Sequence, residues 1–140
     1  MQTINQIQDE IIEDVSVFDD NNDKLEYLID LGKSLPKLGE EYKTPEYEIH
    51  GCQSKVWLRA YSKNNLLFFE GDSNGIIPKG IISLLVKILS GHSAKEIAEC
   101  DLYFIEKTGL QQFLSMNRSN GLPNMVKKMK FYGIAFQAAN

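Results

Sequence analysis

The hydrophobic period of this chain changes twice, and that change restricts the fold more than any other feature. From Tyr47 onward apolar and polar residues alternate. Val56, Leu58 and Ala60 fall on one face of the stretch Lys55–Ser62, with Trp57, Arg59 and Tyr61 on the other. Asn64-Asn65 tolerates positive φ and predicts a tight hairpin into a return strand over Leu66–Glu70. Tyr47 and Ile49 alternate with Glu46, Glu48 and His50, which adds a short strand before the hairpin.

On both sides of this segment the period is helical. Ile4, Ile7, Ile11, Ile12 and Val15 predict a helix over residues 3–15. Leu25, Leu28 and Ile29 predict another over 22–34, with caps available in Asp19–Asp23 and a stop at Pro36. Ile81, Ile82, Leu84, Leu85, Val86, Ile88 and Leu89 make a helix apolar on most sides, hence the buried central one, ended by Gly91. Ser93 and Glu96 have capping-box spacing for a short helix. A second short helix is expected within Asp101–Lys107. The last helix, over 119–136, tolerates Pro123 only in its first turn. Helices, then short strands, then helices, without βαβ alternation, specify one α+β domain over residues 1–140. Its small antiparallel sheet of about three strands packs against helices.

The net charge of −4 argues against binding nucleic acid, where phosphate neutralisation dominates affinity. No apolar run reaches the ~20 residues that span a bilayer. The N-terminus lacks the basic and apolar segments of a signal peptide, so a cytoplasmic location is expected, where thiols stay reduced. There are two cysteines, Cys52 and Cys100, too few for a structural zinc site made of cysteines.

Cys52 follows Gly51, which permits unusual backbone angles and leaves room for another molecule to approach. His50 and Lys55 are positioned in sequence to favour a thiolate, the reactive form of cysteine. On local chemistry alone Cys52 is more often a small buried apolar residue. Cys100 and His92 read as a packing residue and a loop residue. Gly71-Asp72-Ser73-Asn74-Gly75 lacks the Gly-Lys-Ser/Thr ending of a phosphate loop and reads as a turn with an N-cap. Trp57 and Tyr61 read as sheet-face packing.

The run His50-Gly51-Cys52-Gln53-Ser54-Lys55-Val56-Trp57 resembles the GCQSxVW signature of the SufE family of sulfur acceptors. Leu35-Pro36-Lys37-Leu38 with Glu41-Tyr42-Lys43-Thr44 is similar to the segment before that signature. Gly71-Asp72-Ser73 with Ile77-Pro78-Lys79-Gly80, and Arg118-Ser119-Asn120-Gly121-Leu122, resemble two later motifs in the same order. Tyr47 and Pro123 depart from the family pattern. The resemblance implies a SufE/IscU-like fold and Cys52 as the persulfide acceptor. Arg118 would support it, and His50 less directly. It implies a pyridoxal-phosphate cysteine desulfurase of SufS-like type as donor and an iron–sulfur scaffold complex as recipient. It implies no cofactor or metal on this chain, and a monomer or weak dimer. The chain would be an acceptor and activator rather than an independent enzyme. An iron–sulfur scaffold of similar fold, a Cys–His hydrolase and a regulatory binding module remain the alternatives at this point.

Overall fold

The structure is a computed structural model that describes residues 2–51, 54–110 and 121–139. It opens with α1 (Ile4–Ser16), started by a capping box between Thr3 and Gln6. Helix α2 (Asn21–Ser34) is capped by the Asp20 side chain and ends one residue before Leu35 turns extended ahead of Pro36. Two single 3₁₀ turns, Glu40–Tyr42 and Pro45–Tyr47, lead to the sheet. Strands β1 (Val56–Lys63) and β2 (Leu66–Ser73) form one antiparallel hairpin. Helices α3 (Ile76–Leu89), α4 (Ala94–Glu99), α5 (Phe104–Lys107) and α6 (Leu122–Ala139) follow.

The α+β class holds, but among the described residues the sheet has two strands, not three. The third expected strand, around Tyr47–Ile49, is reduced to one bridge between Glu48 and Trp57 and one hydrogen bond, Ile49 N–H to the Val56 carbonyl at 2.7 Å. The reason is local. Pro45 opens a 3₁₀ turn that consumes Tyr47, and Gly51 turns the backbone to φ +89°. Only Glu48 and Ile49 are left to pair.

The hairpin turn matches its prediction: Asn64 and Asn65 adopt φ of 54° and 65°, the left-handed region that Asn tolerates. Strand β2 runs past Glu70, because Gly71, Asp72 and Ser73 pair with Leu58, Trp57 and Val56. Helix α3 begins at Ile76, five residues before the apolar run that announced it.

Helix α3 lies at the centre, with Ile82, Leu85, Ile88 and Leu89 fully buried. Val56, Leu58, Leu67 and Phe69 of the sheet's inner face join the same core. The backbones of α2 and α3 approach closely: a Cβ on Gly80 would run into the Leu28 carbonyl. Met125 and Met129 seat α6, and Ile7 and Ile11 seat α1. Buried Gln8 ties α1 to the later chain, donating to the Asp101 carbonyl (3.1 Å) and accepting from the Phe104 N–H (3.1 Å). The Ser93–Glu96 capping box forms as expected. His92 lies in the connection between α3 and α4, as expected, and is buried, with Nδ1 3.3 Å from the Leu89 carbonyl and Nε2 3.0 Å from the Gln2 carbonyl. It joins the N-terminal segment to the end of α3.

Candidate functional site

Cys52, Gln53 and Arg118 lie outside the described residues, so the site is described from the chain on either side of them. The Ile49 N–H donates to the Val56 carbonyl at the start of β1, which brings together the two ends of the segment that contains Cys52. Ile49 is buried, whereas His50 points outward with its side chain 76% exposed. Its Nδ1 stands 3.7 Å from a Glu48 carboxylate oxygen, within ion-pair range when the ring is protonated.

Gly51 carries φ +89°, a conformation that other residues adopt only with strain. It also packs against Asn124 in the first turn of α6, where an added Cβ would collide with the Asn124 amide. The sequence motivated a glycine here by backbone freedom. The close neighbour is a second reason that only the fold reveals.

The downstream stem is anchored by the β2–α3 turn. Lys55 N–H donates to Asn74 Oδ1 (2.9 Å), and Asn74 N–H returns a bond to the Lys55 carbonyl (3.2 Å). The Ser73 hydroxyl donates to that same carbonyl (2.7 Å) and accepts from Gly75 N–H (3.1 Å). Ser54 lies so close to Gly75 that no side chain would fit there. The Gly71–Gly75 run is therefore a clamp for the loop. Its sequence suggested a turn with an N-cap, and Gly75 is the N-cap of α3, without a side-chain bond.

Asp72 sits under this clamp, 8% exposed. Burial works against its charge. The Ser73 N–H (2.8 Å), Lys43 (3.1 Å) and Lys79 (3.4 Å) outweigh that and hold its carboxyl below the ordinary range. Lys43 also lies 5.9 Å from the centre of the Trp57 ring, so this cluster fastens the Glu40–Tyr47 segment over the sheet's outer face. Arg59 continues that face between Tyr42 (4.4 Å) and Tyr61 (4.5 Å) and pairs with Glu70. Trp57 and Tyr61 are thus half-buried packing residues on the face away from α3.

Cys100 is a packing residue. It is half-buried against the core, its thiol donates to the Ile97 carbonyl (3.3 Å), and burial pushes its pKa up. Neither property suits a nucleophile or a metal ligand. Among the described residues no group of three or more His, Cys, Asp or Glu is placed to hold a metal ion. No described helix is long and apolar enough to cross a membrane.

Comparison with known proteins bears on this site. The family model described as SufE, Fe-S metabolism associated domain, matches residues 9–132. An uncharacterized SufE-like protein of Rhizobium etli is 43% identical over 127 residues, covering 87% of this chain and 86% of the relative. The sulfur acceptor protein CsdE of Escherichia coli is 40% identical over 102 residues, covering 71% of this chain and 69% of its own length. The solution structure of a hypothetical protein from Thermus thermophilus superposes with a TM-score of 0.75 at 16% identity. The match covers 92% of this chain and 94% of that one, which shows a shared fold.

Proposed function

The chain belongs to the SufE family of Fe-S metabolism proteins, and on that premise we propose that Cys52 accepts persulfide sulfur from a cysteine desulfurase. It passes that sulfur on for iron–sulfur cluster assembly. The observation that carries the reading is the frame around residue 52. The loop is closed by Ile49 and Val56, clamped at Lys55, turned by a left-handed Gly51 and flanked by an exposed His50.

The chemistry is an exchange between sulfurs. The Cys52 thiolate attacks the outer sulfur of the donor's Cys–S–SH. A new S–S bond forms as the donor's S–S bond breaks. The donor cysteine leaves as a thiolate, and the transferred sulfur keeps its proton. Neither oxidant nor reductant is consumed. A second exchange to the recipient, an iron–sulfur scaffold complex, regenerates Cys52. Taking the sulfur away frees the desulfurase for its next turnover, so the chain stimulates a SufS-like, pyridoxal-phosphate enzyme without being an independent enzyme. A reducing compartment such as the cytoplasm keeps the thiol available.

Cys52 is three residues beyond Ile49, a tether of at most about 10 Å at 3.3–3.6 Å per residue. Arg118 precedes Gly121 by three residues, and the first turn of α6 that follows touches Gly51 through Asn124. A guanidinium at Arg118 acting on Cys52 would favour the thiolate, or the persulfide anion, over its neutral form. His50, near Glu48, is the nearest proton carrier along the chain.

The half-buried thiol of Cys100 weighs against a cluster scaffold, which takes about three cysteine ligands. Desulfurase turnover, followed as alanine formed from cysteine, tests the proposal. Added wild-type chain is expected to raise it, and Cys52→Ser is expected to leave it at the rate of the desulfurase alone. Full stimulation by Cys52→Ser would reduce the chain to a regulatory binder.

A further inference from the structure

The turn that clamps the Cys52 loop presents one large apolar side chain to solvent. Asn74 is exposed, but its Oδ1 accepts from the Lys55 N–H. Gly75 has no side chain, Ile77 packs partly against the core and Pro78 is buried. Lys79 reaches back to Asp72. Ile76 is the large apolar side chain that projects, 68% exposed, one of four exposed large hydrophobics among the described residues.

Its position makes the exposure more telling. Ile76 is the first residue of α3, where acidic residues or Pro suit the helix dipole and the unpaired N–H groups. The first turn of α3 holds no acidic residue and no side-chain cap. Ile76 serves neither the helix nor the core. The preceding residue, Gly75, is packed against Ser54, two residues after Cys52. The clamp's hydrogen bonds tie this turn to Lys55, three residues after Cys52 in the chain.

We infer that Ile76 is an apolar docking anchor for the sulfur-donating desulfurase, seated in an apolar recess beside the opening that admits the Cys52 loop. This rests on the sulfur-acceptor reading above. It adds a second contact point, independent of the thiol, that sets affinity for the donor rather than the chemistry of transfer. Buried apolar anchors near the centre of an interface carry most of its binding energy.

The test pairs desulfurase turnover with direct loading of Cys52. The enzyme is a pyridoxal-phosphate cysteine desulfurase that the wild-type chain stimulates. The direct loading reagent is glutathione persulfide, which needs no docking. Ile76→Asp is expected to need about tenfold more chain for half-maximal stimulation, while loading from glutathione persulfide proceeds at the wild-type rate. Ile76→Val should stay near wild type. So should Ile134→Asp, which places the same charge at another exposed apolar site, on α6. Wild-type half-maximal stimulation by Ile76→Asp, or an equal loss in Ile134→Asp, would overturn the anchor. A wild-type chain that takes no sulfur from either source would overturn the acceptor reading, and the anchor with it.

Discussion

The two stems of the Cys52 loop are held in different ways. The downstream stem is fixed by backbone bonds: Lys55 uses both its N–H and its carbonyl on Asn74 and Ser73, and Ser54 fills the space over Gly75. The upstream stem makes its sheet bond at Ile49; beyond it, among the described residues, Gly51 touches Asn124 and His50 stands in solvent near Glu48. The difference divides the labour. The clamp fixes Lys55 against the turn that opens α3. The glycine stem sets which backbone conformations the loop can adopt.

The comparison can be broken from either side. Replacing Ser73 and Asn74 together by Ala strips the Lys55 carbonyl and N–H of their side-chain partners. It should lower unfolding stability by about 1–2 kcal/mol in urea denaturation, since each of the two side-chain hydrogen bonds contributes about 0.5–1.5 kcal/mol. A loss below about 0.5 kcal/mol, typical of a surface substitution, would show that the clamp is not structural.

Gly51→Ala should cost about 1–2 kcal/mol from the left-handed backbone alone. Because Asn124 blocks the new methyl, it should also slow sulfur uptake from a desulfurase. Unchanged stability and uptake would remove the glycine from the account.

Asp72 beneath the clamp gives a pH signature. Its carboxyl is held below the ordinary value in the folded chain, so its contribution is complete at neutral pH. That contribution is lost as pH falls below about 4, toward the folded-state value. Asp72→Asn should therefore narrow the gap between urea midpoints at neutral pH and at acid pH. An identical acid loss in the variant would assign it to other carboxylates. The smallest effect is expected for Asn124→Ala, within about 0.5 kcal/mol of wild type, because this residue contributes contact without a hydrogen bond to Gly51. A loss as large as that of the Ser73 and Asn74 pair would erase the asymmetry.

What the sequence revealed follows the range over which each signal acts. The Asn64-Asn65 turn, the Ser93–Glu96 box and the central position of α3 were legible because φ preference, cap spacing and periodicity are local. The short strand at Tyr47–Ile49 was misread because alternation persists through Pro45, although the proline commits the backbone to a 3₁₀ turn. The start of α3 was hidden by Pro78 and Gly80: one is tolerated early in a helix, and the other is required by the close approach of α2. The pairing of Gly71–Ser73 uses backbone groups and leaves little side-chain pattern. The clamp was beyond reach for the same reason. Asn74 meets Lys55 only because the hairpin register brings positions 19 residues apart together.

The central claim is that Cys52 carries the sulfur, and intact mass tests it most directly. Incubate the chain with cysteine and a pyridoxal-phosphate cysteine desulfurase that releases persulfide sulfur to thiols, then weigh wild type and Cys52→Ser. The account predicts one added sulfur on wild type, removed by a reducing thiol, and none on Cys52→Ser. An unmodified wild type, or a Cys52→Ser chain that gains sulfur equally through Cys100, would contradict it.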